Sequence, residues 1–174
     1  MKQILIMDEK DYTEDMGVMR RIAVRAVTFI DGKLLLIQNN RGELKLPGGG
    51  IEPGEDDPTA LIREVKEETG YDIIPDTIRE FGEVEEKRLS KHEPMIWHQT
   101  NRLYLCDVYP AQGQCSYTEK ERVRGYRQVL FLLDDAIEQN KRVLEREGVH
   151  TWNQREYKTM LLIRERLFGD EDRT

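Results

Sequence analysis

The sequence predicts a single α/β domain, and three features predict that fold: a β-hairpin near the start, a central helix, and helices near the end. The hairpin is indicated by apolar runs over residues 22–30 and 33–38 on either side of Asp31-Gly32, a dipeptide typical of two-residue turns. A length of 174 residues suits one domain, and no repeat or linker divides the chain. We therefore expect one domain over residues 1–174.

The central helix has start and stop signals at both ends. Residues 47–54 contain four glycines and two prolines, which predicts a loop. After this loop, Asp57 can act as the N-cap, Pro58 suits the first helical position, and Gly70 suits the C-terminal stop. These signals predict a helix over residues 58–69.

The remaining elements follow from composition and periodicity. Residues 77–87, 95–109 and 128–133 have the β-branched and aromatic content of strands that would extend the sheet. Residues 134–147 form an amphipathic helical pattern, and residues 151–168 form another that opens with a Thr151-x-x-Gln154 capping box. The tail, residues 170–174, is expected to fray. The predicted order is strands, helix, strands, helices.

Composition and charge limit the partners. The longest apolar runs are too short to cross a bilayer and the N-terminus lacks a signal-peptide pattern, so we expect a cytoplasmic protein without a membrane partner. A net charge of −7 disfavours a nucleic acid polymer. Cys106 and Cys115 have no metal-site spacing, and we expect both to be reduced and structural. Any phosphate-bearing substrate would need a local cation.

Three glutamates of the central helix share one arc of its surface. At 100° per residue, Glu64, Glu67 and Glu68 lie beside an apolar arc that contains Leu61 and Val65. A solvated acidic face is the alternative interpretation, although like charges three and four residues apart cost a few tenths of a kcal/mol each. A cation would remove that cost, and carboxylates without His or Cys favour Mg²⁺, or Mn²⁺ in its place, over zinc.

The glycine loop lies directly before these glutamates. Gly48, Gly49 and Gly50 allow main-chain groups to approach an ion or a phosphate closely, although a plain turn is the alternative. Gly49, Glu55 and the segment 63–71 (REVKEETGY) have the spacing of the Nudix box, which the chain resembles over residues 49–71. The family usually has an aliphatic residue where this chain has Tyr71. The order of elements also resembles the Nudix α/β/α sandwich with a mixed β-sheet.

The resemblance implies the chemistry of the site. Glu64, Glu67 and Glu68 would converge on one or more Mg²⁺ ions, with Glu55 as an auxiliary ligand, Gly49 beside the metal, and Arg63 orienting the glutamates. An ordinary surface pair between Arg63 and Glu67, contributing about 0.3 to 0.5 kcal/mol, is the compatible alternative for Arg63. The implied reaction is hydrolysis of a phosphoanhydride in a nucleoside diphosphate linked to another moiety, by a water that attacks phosphorus.

Residues outside the box are weaker candidates. A box glutamate or one from a later loop could be the general base, and Glu119 and Glu121 are the candidates outside the box. Arg25 and Arg102 are candidate phosphate contacts. A nucleotide base could stack on an aromatic ring, with core packing as the alternative for each ring. The candidate rings are Trp97, Tyr104 and Tyr126, whereas His92, His98 and His150 are expected to be structural.

The substrate and the class of protein stay open at this point. The patterns of NADH and coenzyme A cleavage are not evident, and Pro75 comes too early for the ADP-ribose pattern, which leaves nucleoside triphosphates and nucleotide sugars. A non-catalytic Nudix-fold nucleotide sensor is the main alternative to an enzyme, although it would not need the complete acidic set. A diphosphate isomerase is a third hypothesis. The resemblance also suggests a homodimer through the helix over residues 151–168.

Overall fold

A computed structural model describes residues 1–146 and 151–169. It confirms the α/β prediction, and within these residues no helix is long and apolar enough to cross a membrane. The elements in chain order are β1 (Gln3–Asp8), β2 (Val18–Val27), β3 (Phe29–Ile30), β4 (Lys33–Gln38), β5 (Leu44–Lys45), α1 (Asp57–Thr69), β6 (Tyr71–Ile73), a single 3₁₀ turn (Pro75–Thr77), β7 (Arg79–Leu89), β8 (Ile96–Leu105), β9 (Val108–Gln112), α2 (Glu119–Val123), β10 (Arg127–Phe131), α3 (Leu133–Leu144) and α4 (Thr151–Phe168).

The main sheet has four strands in the order β1-β7-β8-β2. Strands β7 and β8 are antiparallel neighbours, whereas both outer strands pair in parallel, so the sheet is mixed as expected. A second sheet has the order β10-β4-β3, with β5 also paired to β4, and β6 pairs with β9. Because successive side chains in a strand alternate between faces, register decides which residues of the main sheet can meet.

Two helical layers cover the main sheet, one on each face. Helix α1 packs Leu61 and Val65 against Val24 and Ala26 of β2. On the opposite face, α4 and α3 cover a larger apolar cluster shared with the second sheet. Its fully buried members include Val27, Leu34, Leu36, Val84, Leu103, Met160 and Ile163. The α/β/α sandwich is therefore present.

The predicted hairpin is present, but its first strand is divided. Asp31 and Gly32 have positive φ values of 49° and 75°, as a two-residue hairpin turn of this type requires. The strand is interrupted at Thr28. Before it β2 belongs to the main sheet, and after it β3 pairs with β4. The Thr28 hydroxyl lies 3.1 Å from the Cys106 sulfur, on the neighbouring strand's continuation. A continuous strand over residues 22–30 was therefore a wrong prediction.

Helix α1 confirms the predicted helix except at its first residues. It begins at Asp57, and the N-cap is Asp56, whose Oδ1 accepts a hydrogen bond from the backbone N–H of Thr59. The prediction of Asp57 as the N-cap was therefore wrong. Its carboxylate instead accepts hydrogen bonds from Arg102 and Tyr104 of β8. Gly70 ends the helix with φ of 75°, the left-handed conformation expected at this position.

Other element predictions need correction. The strand over residues 95–109 ends at Leu105, and Val108 starts a separate strand that pairs with β6. Residues 119–123, expected to lie in a loop, form the short helix α2. Helix α4 has the predicted bounds, whereas α3 ends at Leu144. Glu147, the Thr151 capping box and the tail over residues 170–174 lie outside the described residues or side chains.

Candidate metal and substrate site

The glycine loop is fixed against β2 on one side and α1 on the other. Backbone N–H groups of Val24 and Ala26 donate to the carbonyls of Gly49 and Pro47, both at 2.9 Å. Gly48 has φ of 138°, and a Cβ there would lie 2.1 Å from the Val24 carbonyl oxygen. Glycine is therefore required at this position by backbone conformation and by space.

Gly49 is in direct contact with Glu64 of α1. A Cβ built on Gly49 would lie 2.4 Å from the Glu64 carboxylate, closer than a side-chain carbon can approach. The Glu64 side chain therefore packs on bare backbone at the start of the loop. This contact joins the first fixed position of the box to a glutamate of the helix.

Arg63 holds the loop and the acidic side chains together. Its Nε and Nη2 donate to the two carboxylate oxygens of Glu55, both at 2.9 Å, and Nη2 also donates to the Gly50 carbonyl at 3.2 Å. Nη1 donates to Glu64 at 2.8 Å and lies 3.5 Å from Glu67. The orienting contacts and the Arg63–Glu67 pair expected from the sequence are thus both present.

Glu68 is buried and bridges the loop to Lys45. One carboxylate oxygen accepts from the Gly48 N–H at 2.8 Å, and the other accepts from the Lys45 Nζ at 2.6 Å. Lys45 also lies over the Tyr126 ring, 4.7 Å from its centroid. Sequence reasoning missed Lys45, because a lysine two residues before Pro47 carries no signal of its own.

The carboxylates are not gathered into a metal cage in this arrangement. Among the residues that the structure describes, no three or more His, Cys, Asp or Glu side chains are close enough to hold an ion. In these side-chain positions Glu64, Glu67 and Glu68 do not converge on one point, and their role as metal ligands stays a prediction. The reason is that Arg63 binds Glu64 and Glu67 while Lys45 draws Glu68 to the other side.

The pKa values of two of these carboxylates are shifted in opposite directions. Burial raises the pKa of Glu64, the negative charges of Glu68 and Glu67 raise it further, and the Arg63 hydrogen bond opposes them. The hydrogen bonds from Arg63 lower the pKa of Glu55 to about 2. Of these two, Glu64 has the less well compensated charge, which is the condition that a bound cation relieves.

Residues 112–117 donate hydrogen bonds to carbonyls at the C-terminal end of α1. The Ser116 N–H donates to the Glu67 carbonyl at 2.6 Å, and the Tyr117 hydroxyl donates to the Glu68 carbonyl at 2.6 Å. Gln112 Nε2 donates to the Thr69 carbonyl at 2.9 Å. These bonds satisfy helix-end carbonyls that would otherwise lack partners, and they bring α2 beside the glutamates.

A cavity of about 730 Å³ opens in front of the glycine loop. Its floor is the α4 side of the main sheet, and its walls come from the β7–β8 turn, from α2 and from the start of α4. Eight of its lining residues are Lys or Arg and five are Glu, so the cavity is net positive although the chain is net negative. The cations are Arg21, Arg25, Lys45, Arg88, Lys91, Lys120, Arg124 and Arg155.

The two predicted phosphate contacts lie on opposite faces of the sheet. Arg25 lines the cavity, is almost fully buried, and donates to the Gly48 carbonyl through Nη1. Arg102 does not line this cavity. It donates to both oxygens of Asp57, at 3.0 and 3.1 Å, and to Glu83 at 3.2 Å. Strand alternation turns Arg102 toward α1, so the structure does not bring this predicted phosphate contact to the cavity.

The two candidate general bases outside the box lie in different environments. Glu121 lines the cavity, and its Oε2 accepts from the N–H and hydroxyl of Thr118 in a capping box of α2. Glu119 is exposed and does not line this cavity. Of the two, the structure brings only Glu121 to the candidate site.

The candidate aromatic residues divide in the same way. Trp97 and Tyr126 line the cavity, as does Trp152. Tyr104 lies on the α1 face, where its hydroxyl donates to Asp57 at 2.6 Å, so it cannot stack a base in this cavity.

The histidines and cysteines have separate environments. His92 lines the cavity, His98 contacts Glu85 and Arg20 at 3.0 and 2.9 Å, and His150 lies outside the described residues. Cys106 and Cys115 are both free thiols. Burial raises the pKa of Cys106 to about 11, which keeps it a neutral thiol, as expected of a structural residue.

The fold and the box identify the family. The family model of the NUDIX domain matches residues 19–152, and the chain belongs to this family. Curated relatives include "Putative ADP-ribose pyrophosphatase YjhB" of Bacillus subtilis (strain 168), 30% identical over 92 residues, which are 52% of this chain and 43% of the relative. "Putative 8-oxo-dGTP diphosphatase YtkD" of the same organism is 32% identical over 88 residues, 51% of each chain. The chain therefore spans about half the length of these two relatives.

A third relative and solved structures extend the comparison. The ADP-ribose pyrophosphatase of Methanocaldococcus jannaschii is 43% identical over 58 residues, covering 31% of this chain and 33% of the relative. A MutT NUDIX hydrolase structure from Burkholderia pseudomallei has a TM-score of 0.55 at 20% identity, covering 80% of this chain and 97% of that one. An ADP compounds hydrolase structure has a TM-score of 0.55 at 25% identity, covering 86% and 74%. The Burkholderia likeness shows the fold.

Proposed function

We propose that the protein is a Mg²⁺-dependent pyrophosphohydrolase that cleaves a phosphoanhydride in a nucleoside diphosphate linked to another moiety. The observation that carries the proposal is the Glu64 carboxylate packed on Gly49, at the mouth of a positively lined cavity. Family membership and the names of the relatives support the same class of reaction. The cytoplasmic location and the homodimer remain predictions.

The donor set fits a hard divalent ion. Glu64, Glu67, Glu68 and Glu55 offer only carboxylate oxygens, and Gly49 adds a carbonyl whose second lone pair is left beside its bond to Val24. Small movements of Arg63 and Lys45 would release these carboxylates toward one ion. When bound, Mg²⁺, or Mn²⁺ in its place, would acidify a water and neutralise charge on the phosphate oxygens.

The chain's own residues would then bind, orient and transfer a proton. Arg63 keeps Glu55 and Glu64 at the loop, and Arg25 keeps the Gly48 carbonyl in place instead of binding phosphate directly. Lys45, once released from Glu68, is a cation near the reacting phosphates. The general base is a box glutamate or Glu121, the candidate outside the box that lines the cavity.

The proposed substrate is a nucleotide derivative, and the relatives' names do not identify which one. The relatives are named for ADP-ribose and for 8-oxo-dGTP, two different compounds, so their names support a nucleotide-linked diphosphate without choosing between them. ADP-ribose, which the position of Pro75 disfavours, therefore belongs among the compounds to be tested with nucleoside triphosphates and nucleotide sugars. A non-catalytic nucleotide sensor is the alternative that the same test addresses.

The test is a phosphate-release screen with Mg²⁺ over nucleoside triphosphates, ADP-ribose, nucleotide sugars and dinucleoside polyphosphates. We expect turnover of at least one compound, and a loss of several orders of magnitude in Glu67→Gln. Glu138→Gln is the matched control, because Glu138 is an exposed residue of α3 that does not line this cavity. Tight nucleotide binding without metal and without cleavage would replace the enzyme by the sensor.

A further inference from the structure

The cavity has two chemically different ends, and the strands of its floor give the distance between them. Ala23 of β2 forms a bridge with Gly50, which marks the loop end. Four residues earlier on the same strand, Met19 pairs with Trp97 of β8, which marks the aromatic end. At about 3.3 Å per residue, the two ends are about 13 Å apart along the strand. That separation is on the scale of one extended nucleoside diphosphate.

The loop end has a cation available to an anionic ligand. A Cβ on Gly50 would lie 3.6 Å from Arg21 Nη2, so the Arg21 guanidinium lies against the loop. Its neighbours Arg25 and Arg155 are engaged by the Gly48 carbonyl and by Glu86, respectively. For Arg21 the described part of the chain provides no ion pair with a carboxylate. The Glu64 carboxylate offsets part of the Arg21 charge, yet three guanidinium groups near one another still favour a phosphate there.

The aromatic end is built around Trp97. The Trp97 ring is half-buried, lines the cavity, and has the Arg88 guanidinium 5.7 Å from its centroid. Arg88 is itself fixed, because its Nε donates to Glu86 at 2.9 Å and Glu86 accepts from Arg155 at 2.7 Å. A chain of buried charges thus holds the indole from the sheet and from α4. The ring is positioned before any ligand binds.

The other ring predicted from the sequence is less suited to this role. The Tyr126 ring lies 4.7 Å from Lys45, which binds Glu68, so Tyr126 is at the loop end of the cavity. Trp97 lies at the far end, beside the β7–β8 turn, whose residues Ser90, Lys91, His92 and Glu93 close the cavity. An aromatic base that entered there would have Trp97 as its flat partner.

We infer that the Trp97 end binds the base of a nucleotide while Arg21 contacts its phosphates at the glycine loop. The inference rests on the proposed function for the position of the phosphates. It assigns Trp97 and Arg21 as the residues that decide specificity and position within the substrate class already proposed. Base stacking on an aromatic side chain is worth enough to change affinity by roughly ten-fold or more.

The two tryptophans allow a direct test, because the chain contains only Trp97 and Trp152. In Trp152→Phe, Trp97 is the sole tryptophan, and its emission is followed during titration with ADP, GDP and inorganic pyrophosphate in Mg²⁺. We expect ADP or GDP to quench it and saturating pyrophosphate to leave it nearly unchanged. Nucleotide binding measured by calorimetry without any change in Trp97 emission would overturn the inference.

Affinity measurements separate stacking from phosphate contact. Trp97→Leu should raise the Kd of the nucleoside diphosphate about ten-fold and leave that of pyrophosphate unchanged, and Trp97→Phe should restore most of the loss. Arg21→Gln should raise both constants by a similar factor. Equal weakening of both ligands by Trp97→Leu, in a variant whose melting temperature shows it folded, would contradict the base site.

The outcomes for this site and for the reaction are distinguishable. Selective nucleotide binding at Trp97 without cleavage of any phosphoanhydride would disprove the hydrolase and leave the base site standing. Cleavage with the same KM in the wild type and in Trp97→Leu would disprove the base site and leave the hydrolase standing.

Discussion

Arginines on the two faces of the four-stranded sheet have different hydrogen-bond partners. On the α1 face, Arg102 is held by Asp57 and Glu83. On the cavity face, Arg25 donates to a loop carbonyl, and Arg21 has no ion pair among the residues described. Arg102 is thus neutralised by carboxylates, whereas Arg25 and Arg21 lie at the glycine loop. The comparison teaches that strand parity, more than residue type, decides which of these arginines lies at the glycine loop.

The faces also differ in what holds them together. The α1 face is an apolar cluster centred on Leu61, Val65 and Val24. The α4 side adds a buried polar network that leads into the loop. Asn140 donates to the Leu44 carbonyl at 2.9 Å and accepts from the Leu44 N–H at 3.0 Å, and Glu156 accepts from the Leu46 N–H at 3.0 Å. These bonds fix β5 and its continuation, which end where the glycines begin.

The largest expected effect is on the loop contact with α1. In Gly49→Ala, the new Cβ would occupy the place of the Glu64 carboxylate and displace it. We expect kcat/KM to fall by about 100-fold or more, because small displacements of reacting groups cost that much. Steady-state kinetics on the compound found in the phosphate-release screen measure the fall.

Gly50→Ala is the matched control for this substitution. Its Cβ would meet only the Arg21 guanidinium, at an ordinary contact distance of 3.6 Å, and Gly50 has no positive φ. We expect a loss several-fold smaller than that of Gly49→Ala, with both variants folded. Equal losses would mean that loop rigidity, and not the Glu64 contact, controls activity.

The next effect is on stability and concerns the polar network. Asn140→Ala leaves the buried N–H and carbonyl of Leu44 without partners, which should lower the free energy of unfolding by about 2 to 4 kcal/mol. Urea unfolding measures the change. Asn140→Asp, which keeps the acceptor and loses the donor, should fall between wild type and alanine. An unchanged free energy in Asn140→Ala would show that water replaces the side chain without cost.

The sequence predicted the parts of the fold that depend on local signals. The Asp31-Gly32 turn, the end of α1 at Gly70 and the bounds of α4 follow from turn and helix chemistry near each residue. The box spacing likewise predicted the family. The caps were less certain, because Asp56 and Asp57 are both good N-caps, and only the Arg102 contact across the sheet assigns Asp57 elsewhere.

The parts that could not be predicted depend on tertiary register. The strand predicted over residues 22–30 is interrupted at Thr28, and that predicted over residues 95–109 ends at Leu105, because the chain is divided between sheets. Lys45 became part of the site only through its distance to Glu68, which no local pattern contains. Whether Arg21 or Arg102 faces the cavity required the pairing of β2 with β8.

The smallest expected effects come from two arginine substitutions, one on each face, and they test the comparison between the faces directly. Arg102→Gln removes the ion pairs with Asp57 and Glu83, and we expect a loss of about 1 to 2 kcal/mol in unfolding free energy with kcat/KM unchanged. Arg25→Gln, on the cavity face, should instead lower kcat/KM about ten-fold, because the Gly48 carbonyl loses its charged donor. Thermal melts and kinetics on both variants test the pair. A fall in kcat/KM of the same size in Arg102→Gln would show that the faces are coupled through α1, whose first turn binds Arg102 and whose later turns carry the glutamates.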